Sequence, residues 1–262
     1  MSDQLLEMEG VALGYTAEPV LRGIDLVVRR GELVVIAGGS GCGKSTLLKG
    51  AVGLLQPLEG TIRLLGTDLA NLDEEDLNRL RSHTGLLFQG GALLNSLTVA
   101  ENVALPISQH ARLPPGAVKL LVRMKLAQVG LEADLDKLPS ELSGGMRKRA
   151  ALARAMALDP DLLLCDEPSA GLDPVTAASL DRLLLDLRQA MSMTLLVVTH
   201  ELSSIEAIAD RVVMVADGGI VFDGSLDEAR RSELPVVKDF FERRASEPST
   251  AGRSMLERFL QQ

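Results

Sequence analysis

The sequence predicts an α/β fold: a mostly parallel sheet covered on both faces, preceded by an N-terminal antiparallel β layer and interrupted by an inserted α-helical subdomain. Three observations predict it. Strand-like and helix-like stretches alternate along the chain, the pattern of parallel strands joined by crossovers. Residues 33–37, 161–165 and 194–198 are nearly continuous apolar runs, as strands buried on both faces are. From about residue 91 to 159 strand-like runs vanish and helical spacing takes over, so this part reads as an insertion in the core.

Taken in order, residues 4–30 read as short strands broken at Gly10, Gly14 and the Glu18-Pro19 turn, and they supply the antiparallel layer. Residues 33–37 are a buried strand ending in glycines, with a helix starting by Leu47-Leu48. A strand between Gly60 and Gly66, a polar helix over 73–81 and a strand over 84–88 follow. Helices over 99–107, 115–129 and 143–158 fill the insertion. The core resumes with a strand over 161–165, a helix over 174–190 opened by Pro174, and a strand over 194–198. Residues 211–215 and 219–222 make a hairpin about Asp217-Gly218. The expected organisation is therefore a domain over 1–235, with its core in 1–90 and 160–235, and a helical tail over 236–262.

Composition narrows the class. The 262 residues, 46% of them hydrophobic, suffice for one large domain with a subdomain. Lys+Arg 27 against Asp+Glu 36 gives a net charge of −9, which argues against a nucleic-acid partner. The start lacks a basic stretch leading into an apolar one, and no apolar run has the length of a membrane span, so a soluble cytoplasmic protein is expected. Cys42 and Cys165 suggest no disulfide framework, and two cysteines with three scattered histidines do not support zinc.

The chemistry is concentrated in a few stretches. Gly38, Gly43, Lys44 and Ser45 fill G-x-x-x-x-G-K-[ST], between a strand and a helix as that phosphate-binding loop requires, which makes the core a P-loop (RecA-like) NTPase. Backbone N–H groups of Gly39, Ser40, Gly41, Cys42, Gly43 and the residues up to Thr46 can converge only in conformations that glycine tolerates, and the following helix adds the positive end of its dipole. Lys44 is expected at the β- and γ-phosphates, Ser45 on Mg²⁺, and Thr46 at the α-phosphate. Asp166 and Glu167 end a buried strand: Asp166 is placed toward Mg²⁺ and Glu167 toward the attacking water. Ser143, Gly144 and Gly145 open a helix carrying Arg147, Lys148, Arg149 and Arg154; taken alone, ordinary capping by Ser143 accounts for them. Tyr15 fits an adenine-stacking ring and an aromatic packed on a strand edge equally well.

Together these stretches resemble the nucleotide-binding subunits of ABC transporters, over about residues 5–235. In family order stand Tyr15 as the A-loop aromatic, Gly38 to Thr46 as Walker A, Gln89 as the Q-loop and Leu142-Ser143-Gly144-Gly145-Met146 as the signature. Leu162 to Glu167 matches Walker B, Ser169 to Asp173 the D-loop, and His200 the switch histidine. Met146 departs from the usual glutamine, so that side chain's hydrogen bonds are absent. The resemblance implies ATP and Mg²⁺ as ligands, with Ser45, Gln89 and Asp166 around the metal and Glu167, His200 and Gln89 in catalysis. It makes Tyr15 the adenine platform. It also implies a head-to-tail dimer, in which Ser143, Gly144, Gly145 and Asp173 help hold the nucleotide bound by a second copy. A membrane permease is expected in a groove beside Leu93, Leu94 and Leu97.

Residues 88–94 and 145–149 resemble more narrowly the ATPases of Mla-type phospholipid-trafficking transporters, which implies MCE-domain and STAS-domain partners and a place on the cytoplasmic face of the Gram-negative inner membrane. The alternatives are another small-solute transporter or a non-transport ABC ATPase; ribosome-acting types usually carry two ATPase units in one chain and repair types long coiled coils, neither of which this sequence has. In the tail, residues 235–243 fit equally a helix closing the chain's own core and a subunit contact, whereas 254–262, after a Ser/Pro/Gly-rich linker, are expected to dock on a neighbour.

Overall fold

β1 (Gln4–Leu13) and β2 (Leu21–Arg29) form the antiparallel hairpin expected of residues 4–30. The computed structural model describes residues 3–242. Gly10 does not break β1. It forms a bulge at φ +58, where the pairing shifts between Met8 and Val11, and Asp25 Oδ1 accepts its N–H at 2.7 Å. After β3 (Leu33–Ala37) and α1 (Lys44–Ala51), β4 (Glu59–Leu64) and the short β5 (Thr67–Asp68) return to the hairpin, giving an outer sheet ordered β2-β1-β4-β5. Gly60 permits that return: at φ +80, a Cβ there would lie 2.4 Å from the Glu9 carbonyl oxygen.

α2 (Glu74–Arg81), capped by the Asp73 carboxylate, leads into β6 (Thr84–Leu87). Then come α3 (Val99–His110), α4 (Pro115–Gln128) and α5 (Gly144–Ala155) before β7 (Leu162–Asp166), with no strand between β6 and β7 among the described residues. α6 (Pro174–Met191), β8 (Thr194–Val198), α7 (Leu202–Ile208), β9 (Arg211–Ala216) and β10 (Gly219–Ser225) complete the core, followed by α8 (Leu226–Arg230) and α9 (Pro235–Phe241). The main sheet is ordered β10-β9-β3-β8-β7-β6 and is parallel except for the β9–β10 hairpin.

Side-chain alternation in the apolar strands sorts the core into two faces. Leu33, Val35, Leu163, Cys165, Leu195 and Val197 point into one cluster shared with α3, α5 and α6. Val34, Ile36, Leu162, Leu164, Leu196 and Val198 point into the other, with α1 and the outer sheet. Both faces are covered, which is why these strands tolerate no polar position until their ends. Those ends carry the site. α9 buries Val237 completely and packs Phe240 and Phe241 against the first cluster, so residues 235–241 join the chain's own core. The docking expected of residues 254–262 lies outside the described residues.

Candidate nucleotide site

The carboxyl ends of β3, β7 and β8 open onto a cavity of about 400 Å³, to which Tyr15, Ser40, Gly41, Gly43, Lys44, Ser45, Thr46, Gln89, Glu167 and His200 contribute. The loop beneath it could not be built from bulkier residues. At Gly38 (φ +148) a Cβ would meet the Val215 carbonyl oxygen at 2.3 Å, and at Gly43 (φ +105) it would meet the Leu21 side chain at 2.7 Å. Gly43 caps α1 without a side-chain hydrogen bond, so the first-turn N–H groups of α1 have no side-chain partner and suit an anion. Lys44 is buried, and its Nζ donates to the carbonyl oxygens of Gly38 at 2.8 Å and Gly39 at 2.7 Å, drawn across its own loop.

Opposite stands the carboxylate pair. Ser45 Oγ donates to Asp166 Oδ1 at 3.1 Å; burial pushes the Asp166 carboxyl above the usual range, while the Ser45 hydrogen bond opposes that rise. Glu167 is buried and held at φ +49, with its N–H donating to the Val198 carbonyl oxygen at 2.8 Å. Its Oε1 lies 2.7 Å from His200 Nδ1; because a carboxylate only accepts, Nδ1 carries the hydrogen. Its Oε2 is buried and has no partner among the described residues. A buried carboxylate oxygen left unpaired, on a residue that lines a cavity, is costly unless something polar meets it there.

Tyr15 is 59% exposed, so its ring is not a packed strand-edge aromatic. Its hydroxyl is tied to Thr46 Oγ1 at 3.5 Å and to Lys49 Nζ at 3.0 Å, and these bonds, Thr46 first, lower its pKa. The ring thus stands beside the first turn of α1, open on the cavity side.

Two groups of expected site residues lie elsewhere. Ser143 is the N-cap of α5, its Oγ accepting from Met146 N–H at 3.3 Å, and neither it nor Gly144 or Gly145 lines the cavity. Gly145 also answers to its own chain, since a Cβ would sit 2.5 Å from Thr176 Cγ2. Asp173 caps α6 by accepting from the N–H groups of Val175 and Thr176, and hydrogen bonds from Thr176, its side chain first and then its N–H, lower the Asp173 pKa. Two further residues, to which the sequence assigns no site role, hold the site from behind. Asn102, fully buried, donates to the carbonyls of Leu94, Leu97 and Thr98 and accepts from Leu94 N–H, fixing the loop after Gln89. Lys148 reaches the carbonyl oxygens of Gln89 and Glu167. A buried polar residue on an otherwise apolar helix face is the only signal either gave.

The donor set fits a nucleoside polyphosphate with a hard divalent cation. An uncapped helix terminus and an ammonium suit the phosphates, and the Ser45 hydroxyl with the Asp166 carboxylate offers hard oxygen ligands. No group of three or more His, Cys, Asp or Glu able to hold a metal is found among the described residues, so the cation would complete its shell with phosphate oxygens and water.

Cys42 gives a check on loop accessibility. Its thiol is partly exposed and lies 3.9 Å from Lys44 Nζ, whereas Cys165 is fully buried, a setting that pushes its thiol up to about 12. A maleimide is expected to modify Cys42 and spare Cys165, with nucleotide slowing the modification. Peptide mass spectrometry with and without ATP reads this out; equal labelling of both cysteines, or no protection, contradicts it.

Comparison with known proteins bears on the whole chain. The ABC transporter family profile matches residues 21–170. The Haemophilus influenzae intermembrane phospholipid transport system ATP-binding protein MlaF is 38% identical over 239 residues, covering 91% of this chain and 90% of its own. The probable ribonucleotide transport ATP-binding protein mkl of Mycobacterium tuberculosis is 38% identical over 243 residues, covering 93% of this chain and 68% of its own. Among solved structures, the ATP-binding cassette MJ0796, in a dimeric post-hydrolysis state with ADP and Pi, matches with TM-score 0.78 at 30% identity, over 84% of this chain and 98% of that one. CbiO1 of Clostridium perfringens, part of an ABC transporter complex, matches with TM-score 0.80 at 27% identity, over 92% and 99%. A glycine loop under an uncapped helix, a carboxylate pair at a strand end and these matches along most of its length make the chain a member of the ABC transporter family, in its ATP-binding subunit.

Proposed function

We propose that two copies of this chain form the ATP-hydrolysing motor of a transporter that moves phospholipid at an inner membrane, with MCE-domain and STAS-domain proteins among its partners. The observation that carries the catalytic reading is Glu167, a residue lining the cavity with one carboxylate oxygen held by His200 and the other buried without a partner among the described residues. Lys44 exchanges its loop carbonyls for phosphate oxygens when ATP enters. Tyr15 stacks on the adenine. Glu167 Oε2 takes a proton from the water that attacks the γ-phosphorus; the bond to the bridging oxygen breaks, and its electron pair leaves with ADP. His200, fixed through Nδ1, holds the water's approach. Ser45, Asp166 and Gln89 would hold Mg²⁺, which would supply charge neutralisation on the phosphates.

No helix among the described residues is long and apolar enough to cross a membrane. A separate membrane permease is part of this reading. The loop fixed by Asn102, beside Leu93, Leu94 and Leu97, is where we place it; the Leu94 side chain is 45% exposed. The phospholipid reading leans on MlaF, which this chain covers nearly end to end, more than on mkl, of which it covers 68%.

The cargo is tested by purifying the tagged chain from native membranes in mild detergent and identifying bound lipid and protein by mass spectrometry. Co-purification of a permease, an MCE-domain protein and phospholipid, with ATPase activity that rises in phospholipid nanodiscs, is expected. A complex that carries a ribonucleotide or another small solute and ignores phospholipid would rule the cargo out while leaving the ATPase intact.

A further inference from the structure

The helix that begins at Ser143–Gly145 carries a buried cation on its inner face. Lys148 is 8% exposed, and its Nζ donates to the main-chain carbonyl oxygens of Gln89 at 2.5 Å and Glu167 at 3.1 Å. These carbonyls follow β6 and β7, neighbouring parallel strands in register from Thr84–Leu162 to Leu87–Cys165. One ammonium, brought by the inserted helices, thus bridges the two loops that carry Gln89 and Glu167. Burial lowers the Lys148 pKa, against the pull of the Glu167 and Asp166 carboxylates, and a buried ammonium is tolerable only where its donors are met.

The second bond falls on a conformationally unusual residue. Glu167 sits at φ +49, a region that side chains resist and that persists only where the surroundings over-determine it. Both its main-chain polar groups are pinned: its N–H donates to the Val198 carbonyl at 2.8 Å, and its carbonyl accepts from Lys148 Nζ at 3.1 Å and from the Ala170 N–H of the following turn at 3.2 Å, so Lys148 is the one long-range tie on that carbonyl. Farther along α5, Arg154 donates to the carbonyl oxygens of Gly91 and Ala92 at 2.8 Å each, so this helix grips the segment after β6 at two points. Ala92 is itself at φ +50.

We propose that Lys148 is a positioning residue for ATP hydrolysis, fixing the Glu167 main chain, and so the aim of Oε2, against the Gln89 loop. It touches neither nucleotide nor water. The inference rests on the reading of Glu167 as the base, so E167Q serves as the control throughout. Steady-state ATPase and ATP affinity are measured on the full-length protein, in the membrane assembly with which it co-purifies, alongside thermal unfolding. A base displaced by a fraction of an ångström loses rate without losing substrate, so K148M is expected to lower kcat about tenfold with the KM for ATP within about twofold of wild type. K148R keeps a charged donor able to span two carbonyls and should recover kcat to within about threefold.

Wild-type kcat in K148M overturns the proposal, as does a loss of ATP affinity in step with the fall in kcat, since that marks a general packing role. If K148M does not fold, K148R is compared with K148Q, and equal kcat in those two likewise overturns it. Should E167Q hydrolyse ATP as wild type does, the assignment of the base fails first, and that outcome is distinct from a dead E167Q beside a fully active K148M.

Discussion

Glu167→Gln is expected to bind ATP as tightly as wild type, to hydrolyse it at least about 100-fold more slowly, and to accumulate as an ATP-bound dimer; loss of a positioned general base is typically worth 10²–10⁴ in rate. The geometry explains the separation of binding from turnover. Gln is nearly isosteric with Glu, and its amide oxygen can still accept from His200 Nδ1, so the 2.7 Å contact and the shape of the cavity are kept. What is lost is the carboxylate oxygen able to take a proton, Oε2, which has no partner among the described residues. The loop, Lys44 and the helix terminus are untouched, so the phosphates keep their donors. Gel filtration with and without ATP, together with single-turnover phosphate release, gives the answer. Hydrolysis within threefold of the wild-type rate would falsify the assignment of Glu167 as the base.

The second large effect is a complementation. Lys44→Ala removes the ammonium that spans the loop, and Ser143→Arg blocks the α5 terminus that lies outside the cavity of its own chain. Each variant alone should be inactive. If one copy supplies the glycine loop and another the α5 terminus, a heterodimer of the two variants contains one site built wholly from unaltered parts, and one in which both halves are altered. Random pairing makes half of the dimers mixed, and one site in two works in each, so the mixture should recover up to about a quarter of wild-type activity. A site confined to one chain predicts no recovery at any ratio. Replacing Gly145 would be a poorer test, because a side chain there collides with Thr176 in the same molecule and would confuse local packing with a contact to the partner.

These two experiments fall on different sides of what the linear sequence reveals. Glu167 and the glycine loop are legible because each is a run of consecutive residues whose chemistry depends on local backbone geometry. A strand that must stay apolar ends abruptly in glycines or carboxylates, and little else is asked of residues in those places. For Tyr15 the residues alone leave two roles open and the family resemblance favours the adenine platform; the fold adds that its ring is exposed and its hydroxyl tied to Thr46 and Lys49, partners more than thirty residues away. Gly10 read as a break because φ > 0 ends most strands; pairing on both sides, with β2 and β4, converts it into a bulge. Lys148 looked like one more charge on a basic helix, and Asn102 like an ordinary polar residue. Their burial against main-chain carbonyls depends on which loops the sheet order brings beneath them.

By itself the sequence determined the alternation of strands and helices, the phosphate-binding loop, the Asp166–Glu167 pair and the helical insertion, because apolar periodicity and turn chemistry act between near neighbours. Only the tertiary structure decided that β4 joins the outer sheet, that His200 aims Glu167, and that Lys148 ties the Gln89 and Glu167 loops together. Those are contacts between segments far apart along the chain, set by strand order and packing direction, and no local run of side chains encodes them.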